Sequence, residues 1–135
     1  MTVRAPTTGE TPAIRSLQAL LTHADPELID AALEGPFHCR VAVESGDIVG
    51  YAIALPGDET TVSELVVAPE HRREGHGRDL LDAVAAAADA DRLVVTTPAS
   101  DDDAVAFYRA LDFEKEARLE GFYGDGDALR LVRRE

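Results

Sequence analysis

The chain has 135 residues, 45% of them hydrophobic, and 26 acidic against 13 basic side chains give a formal net charge of −13. That length and apolar content match one domain with one core, so residues 1–135 are read as a single continuous domain. The acid excess excludes the basic footprint of a nucleic-acid binder; no apolar run reaches the roughly 18 residues of a membrane span, and Met1-Thr2-Val3-Arg4-Ala5-Pro6 lacks a signal-peptide core, so a cytoplasmic protein is expected.

In chain order, Val3-Arg4-Ala5 reads as a short strand ended by Pro6. Thr11-Pro12 opens a helix whose apolar face is Ile14, Leu17, Leu20 and Leu21. Pro26–Leu33 reads as a second helix, stopped by Gly35-Pro36. Phe37, Cys39, Val41 and Val43 alternate with polar or small residues, Ser45-Gly46 makes a turn, and Val49, Tyr51, Ile53 and Leu55 alternate again, which is a hairpin. Thr61–Ala68 is a β-branched, apolar strand ending at Pro69. Gly77–Ala90 is a helix with Leu80, Leu81, Val84 and Ala88 inward, and Arg92–Thr97 is a buried strand. Asp101–Leu111 is a helix begun by acids that suit its positive N-terminus. Strands over Phe113–Phe122 and Ala128–Val132 follow, joined near Gly124-Asp125-Gly126. Strands separated by helices imply parallel neighbours and hairpins imply antiparallel ones, so a mixed α/β sheet is expected. Cys39, the sole cysteine, is read as a buried thiol, which excludes an intrachain disulfide.

The segment that carries chemistry is Ser63-Glu64-Leu65-Val66-Val67-Ala68-Pro69-Glu70-His71-Arg72-Arg73-Glu74-Gly75-His76-Gly77-Arg78-Asp79-Leu80-Leu81, a strand, a short loop with two glycines, and a helix. Such a junction aims free backbone N–H groups and a helix dipole at one point, which suits an anion. A P-loop requires Gly-Lys-Ser/Thr where this chain has Gly77-Arg78-Asp79. A dinucleotide fingerprint requires a third glycine where Leu80 stands. His71 and His76, flanked by arginines and without a third ligand, read as solvated loop residues, and no metal is expected.

The loop resembles the pyrophosphate loop of GNAT acyltransferases, Arg/Gln-x-x-Gly-x-Gly/Ala, with Arg72, Gly75 and Gly77 at the motif positions. The resemblance extends along nearly the whole chain. Val3–Pro6 with Ala13–Leu17 is similar to the family's first strand and helix, and Ile48–Ala52 to its third strand. Ala104–Phe113 is similar to its A-x-x-(F/L)-Y-x-x-x-G-F segment, with Asp112 in place of the glycine and Asp101 where the family often has Asn. It implies the GNAT (acyl-CoA N-acyltransferase) fold: a single-domain, mixed, mostly antiparallel six- to seven-stranded sheet flanked by about four helices.

It also implies an enzyme moving an acetyl group from acetyl-CoA to a primary amine, through a V-shaped opening between the fourth and fifth strands. Leu65, Val66 and Val67 would pair with the pantetheine arm. The amides around Arg72, Arg73, Glu74, Gly75, His76, Gly77 and Arg78 would hold the pyrophosphate, with Asp101 and Tyr108 beside the cofactor. Tyr108 would protonate the departing sulfur, and the Val67 N–H is a candidate oxyanion donor. The base is expected to be Glu64, acting through water, because Thr96 stands where related N-terminal acetyltransferases place a glutamate.

Glu120–Leu129 resembles the tail of ribosomal-protein N-terminal acetyltransferases, which implies that Phe122 and Tyr123 bind the acceptor. A protein N-terminal amine leads; lysine side chains and small-molecule amines follow, and a non-catalytic CoA-binding module or a structural domain is the remaining alternative. A monomer or homodimer is expected. Twelve arginines against one lysine, Lys115, resemble the composition of haloarchaeal, halophilic proteins.

Overall fold

A computed structural model describes residues 2–21, 26–35, 37–57 and 59–135. The elements are β1 (Thr2–Arg4), α1 (Thr11–Gln18), α2 (Pro26–Glu34), β2 (His38–Glu44), β3 (Asp47–Leu55), β4 (Thr60–Val67), α3 (His76–Ala88), β5 (Arg92–Pro98), α4 (Asp102–Ala110), β6 (Glu114–Leu119) and β7 (Ala128–Arg134). Single 3-10 turns at Thr8–Glu10 and Pro69–His71 precede α1 and α3. The last expected strand pair is shorter at one end: β6 stops at Leu119, so Phe122 lies in the β6–β7 loop. Pro36, half of the expected stop after α2, lies outside the described residues.

The strands form one seven-stranded sheet in the order β1-β2-β3-β4-β5-β7-β6. Every neighbouring pair is antiparallel except β4 and β5, which run parallel. On one face α3 buries Leu80, Leu81, Val84 and Ala85 against Ala52, Leu65, Val67, Leu93 and Leu131, and α4 adds Phe107 and Tyr108. Ala85, rather than Ala88, completes the inner face of α3. On the other face Ile14 and Leu17 of α1 and Ile29 and Ala32 of α2 pack on Cys39, Val41, Tyr51, Ile53 and Val66. Cys39 is 4% exposed, and burial pushes its thiol up to about 12, as a packed, unreactive thiol requires.

A bulge in β4 decides which face receives Glu64. Ala54 pairs with Val62 and Ile53 with Glu64, so Ser63 is an extra residue in the ladder. Without it Val62 and Glu64 would share a face. With it Val62, Leu65 and Val67 face α3 while Glu64 and Val66 face α1 and α2.

The acidic surface is threaded with ion pairs. On the outer wing of the sheet Arg130 pairs with Glu59 and Glu116, and Arg92 with Glu116.

Candidate active site

β4 and β5 pair only at Thr60–Leu93 and Thr61–Val94, and beyond that point they diverge. The gap is a cleft of about 880 Å³, walled by Thr61–Val67, Val95–Pro98, Phe107 and Tyr108 of α4, and Leu20, Phe122 and Tyr123 at its mouth. The Ala68 N–H bonds the Val49 carbonyl at 2.8 Å, on the β3 side. Successive residues of a strand point their N–H and C=O groups to opposite edges, so Leu65 and Val67 present theirs to the open edge. Arg72 Nε already occupies the Val67 carbonyl at 3.1 Å, which leaves the Val67 N–H facing the cleft.

Glu64 lines this cleft, yet it is only 5% exposed. Its carboxylate accepts hydrogen bonds from Gln18 Nε2 at 3.1 Å to both oxygens and from the Tyr51 hydroxyl at 2.7 Å to Oε1. Burial, and the bond to Glu64, push the Tyr51 phenol well above its ordinary range, so it stays a donor. Neither Tyr51 nor Gln18 stands out in the sequence: Tyr51 reads as strand core, and Gln18 is the polar residue on an apolar helix stripe. Leu20, expected on that stripe, lies past the end of α1, is 50% exposed and lines the cleft.

Tyr108 lines the cleft from α4, held edge-on between Phe107 at 5.2 Å and Phe113 at 5.4 Å. Burial pushes its phenol up to about 12, which keeps the proton on at neutral pH. Thr96 lines the opposite wall. Asp101 also reaches the cleft, but its Oδ1 accepts the Ala104 N–H at 3.0 Å, so it caps α4. Asp112 takes the left-handed conformation (φ 72°) normally given to glycine, and Arg78 anchors it at 2.7 Å while also bonding the Ala110 carbonyl. The Arg78 side chain is thereby engaged at the C-terminus of α4.

The loop before α3 turns on two left-handed residues, Arg73 (φ 65°) and Gly75 (φ 89°). A side chain at Gly75 would be strained by that φ although space around it is open. At Gly77 an added Cβ would meet Phe107 at 3.5 Å and Leu111 at 3.6 Å, so this glycine faces α4 rather than the loop. One expectation is overturned: His76 is not solvated. It is 1% exposed, because as the first residue of α3 it points beneath the loop toward Glu74 and Glu44.

Phe122, 56% exposed, and Tyr123 stack edge-on at 5.0 Å at the mouth of the cleft. Their loop is braced internally: Tyr123 N–H bonds the Gly126 carbonyl, and Asp127 accepts from Gly121 N–H and Arg118 Nε.

Residues 35–115, more than half of the chain, match the family profile of the acetyltransferase (GNAT) domain. The chain belongs to the GNAT family. Its fold is shared with the ribosomal-protein-S18-alanine N-acetyltransferase of Escherichia coli (TM-score 0.80, 20% identity, 98% of this chain and 92% of that one). It is shared equally with a GNAT family acetyltransferase from Elizabethkingia anophelis with acetyl-CoA bound (TM-score 0.80, 24% identity, 99% and 97%). In sequence, 63 residues are 43% identical to the mycothiol acetyltransferase of Streptomyces coelicolor. That match covers 45% of this chain and 20% of the relative, so the chain spans only part of the length of that relative. The divergent β4–β5 pair, the seven-stranded sheet and the glycine loop at the start of α3 are thus this chain's version of the GNAT scaffold.

Proposed function

We propose that the chain is an acyl-CoA-dependent N-acyltransferase that moves an acetyl group from acetyl-CoA to a primary amine, first of all the α-amine of a protein N-terminus. The observation that carries this reading is the cleft itself, where Glu64 and Tyr108 line one space beside the unpaired edge of β4. The free edge at Leu65 and Val67 suits an extended amide-bearing arm, added like a strand. The Gly75 turn and the first amides of α3 suit its diphosphate. Arg72 and Arg73 add positive charge to that end.

In the transfer, Glu64 takes a proton from the incoming ammonium, directly or through one water. The neutral nitrogen attacks the thioester carbonyl, and the Val67 N–H stabilises the oxyanion. As the tetrahedral adduct collapses, the C–S bond breaks, Tyr108 gives its proton to the sulfur, and the nitrogen's remaining extra proton passes through water to the Tyr108 phenolate, leaving a neutral amide and a restored phenol. An α-amine of pKa about 8 is roughly one-tenth neutral at pH 7, whereas lysine at about 10.4 is neutral a few parts in ten thousand. An N-terminus therefore demands less of Glu64, and Phe122 and Tyr123 offer it aromatic surface.

The likeness to the mycothiol enzyme favours a second reading, a small-molecule amine acceptor. Thiol release from acetyl-CoA across N-terminal peptides, lysine peptides and small amines, repeated in molar salt, separates these. Absence of turnover with every amine tried, despite tight CoA binding, would leave a non-catalytic CoA module.

A further inference from the structure

We propose that His71, Glu74 and His76 form a binding site for a divalent transition-metal ion of the zinc type. One ligand atom from each residue lies within 4.8 Å of the other two. Glu74 Oε2 sits between the imidazoles, 3.3 Å from His76 Nε2 and 3.7 Å from His71 Nδ1.

The arrangement is poorly explained as a hydrogen-bonded cluster. Both ring nitrogens of the buried His76 and Nδ1 of His71 are shielded from solvent without a hydrogen-bond partner among the described residues. Buried polar groups are almost always satisfied, so two orphan nitrogens, His76 Nε2 and His71 Nδ1, facing one carboxylate call for a missing partner. A cation supplies it at His76 Nε2 and His71 Nδ1, because a neutral imidazole carries a lone pair on one of its two nitrogens and the N–H on the other.

The donor set selects the ion. Two imidazoles and one carboxylate suit zinc and its first-row neighbours, whereas calcium and magnesium require mostly oxygen. Zinc bonds of about 2.0–2.2 Å place tetrahedral ligand atoms roughly 3.3 Å apart. The two wider separations close by rotation of the more exposed Glu74 and His71 side chains. Their exposure leaves a route for the ion and room for a water as fourth ligand. Glu44, 3.7 Å from His76 Nε2, is a second carboxylate within reach.

None of the three residues lines the cleft. The ion would be a clamp on the loop from residue 71 to 76 rather than a participant in acyl transfer. If the loop holds a diphosphate, as the proposed function has it, the clamp fixes the amides that do so.

The test is calorimetric titration of the metal-stripped protein with Zn2+, and with Mg2+ for comparison, in wild type, His71→Ala and Glu74→Gln. Both substitutions are at partly exposed positions, and circular dichroism confirms that the variants are folded. The expected result is one Zn2+ per chain, at least tenfold weaker binding in each variant, and no saturable Mg2+ binding. The thermal midpoint should rise with Zn2+ in wild type and much less in the variants. No saturable Zn2+ binding, or equal affinity in all three proteins, overturns the site and leaves an imidazole–carboxylate cluster. Zn2+ binding without acetyl-CoA binding would count against the proposed function alone. Acetyl-CoA binding without Zn2+ binding would count against this site alone.

Discussion

Tyr51 and Glu64 lie on adjacent strands, and the 2.7 Å bond between them holds a carboxylate at the wall of the cleft while both residues are 5% exposed or less. Replacing Glu64 with Gln keeps the shape and removes the base. Turnover with N-terminal peptides should fall about tenfold at pH 7, the inverse of the neutral fraction of an α-amine, and far more with lysine peptides, while acetyl-CoA affinity holds. A fall of less than about threefold would make Glu64 a structural acid. Tyr51→Phe leaves a buried carboxylate short of a donor, and chemical denaturation should show a loss of about 1–3 kcal/mol.

Tyr108→Phe should lower turnover by about two orders of magnitude with any amine, since the acid serves the donor side. Burial raises this phenol to about 12, so its proton is lost only in strong alkali. The high-pH limb of kcat should therefore have no contribution from Tyr108 in the pH range below about 10. A limb below about pH 10 that vanishes in Tyr108→Phe would contradict the raised phenol, and turnover unchanged in Tyr108→Phe would contradict its role as the acid.

Gly75→Asp forces a side chain onto φ 89° and sets a negative charge where a diphosphate is proposed. Acetyl-CoA affinity should drop at least about tenfold, or roughly 1.4 kcal/mol. Gly46→Asp is the control, because Gly46 has φ 86° in the β2–β3 turn, equally open, and lies outside the loop before α3. Equal losses of affinity in the two variants would assign the effect to folding.

Phe122→Ala removes an exposed ring and should change stability by no more than about 0.5 kcal/mol. It should raise KM for peptide severalfold and leave KM for acetyl-CoA alone. If both are unchanged, the β6–β7 loop does not hold the acceptor.

Glu10 is held at about 2, against an ordinary 4.5, first by the Arg4 guanidinium bonding both its oxygens and then by the Thr7 N–H. A depressed carboxyl stabilises the fold above its ordinary range and loses that contribution as pH falls from 4.5 toward 2. Unfolding curves across that window should be steeper for wild type than for Glu10→Gln. Added salt should shrink the difference.

Much of this architecture is legible in one dimension. Ser45-Gly46 marks the hairpin and Pro69 ends β4. The glycine at 75 marks a turn that needs positive φ, because local steric rules act within a few residues. What is not legible depends on partners far away in sequence. Nothing local shows that β7 inserts between β5 and β6, or that Gln18 meets Glu64 across 46 positions. His76 looks hydrophilic in a charged loop, and only the packing of α3 on β2 and β3 reveals it as buried. Glu64 is visible as a candidate base, but the donors that hold its carboxylate, Gln18 and Tyr51, are not.

The extra residue at Ser63 has an evolutionary corollary. It sets the parity of β4, so what faces the α1 side depends on how many residues precede position 64 as much as on which residue stands there. A deletion at Ser63 would swap the faces of the strand on one side of the gap with every remaining side chain unaltered. Substitution scans would never sample that route to inactivation, and relatives with one residue fewer in this strand would need their acid at a different place in the alignment.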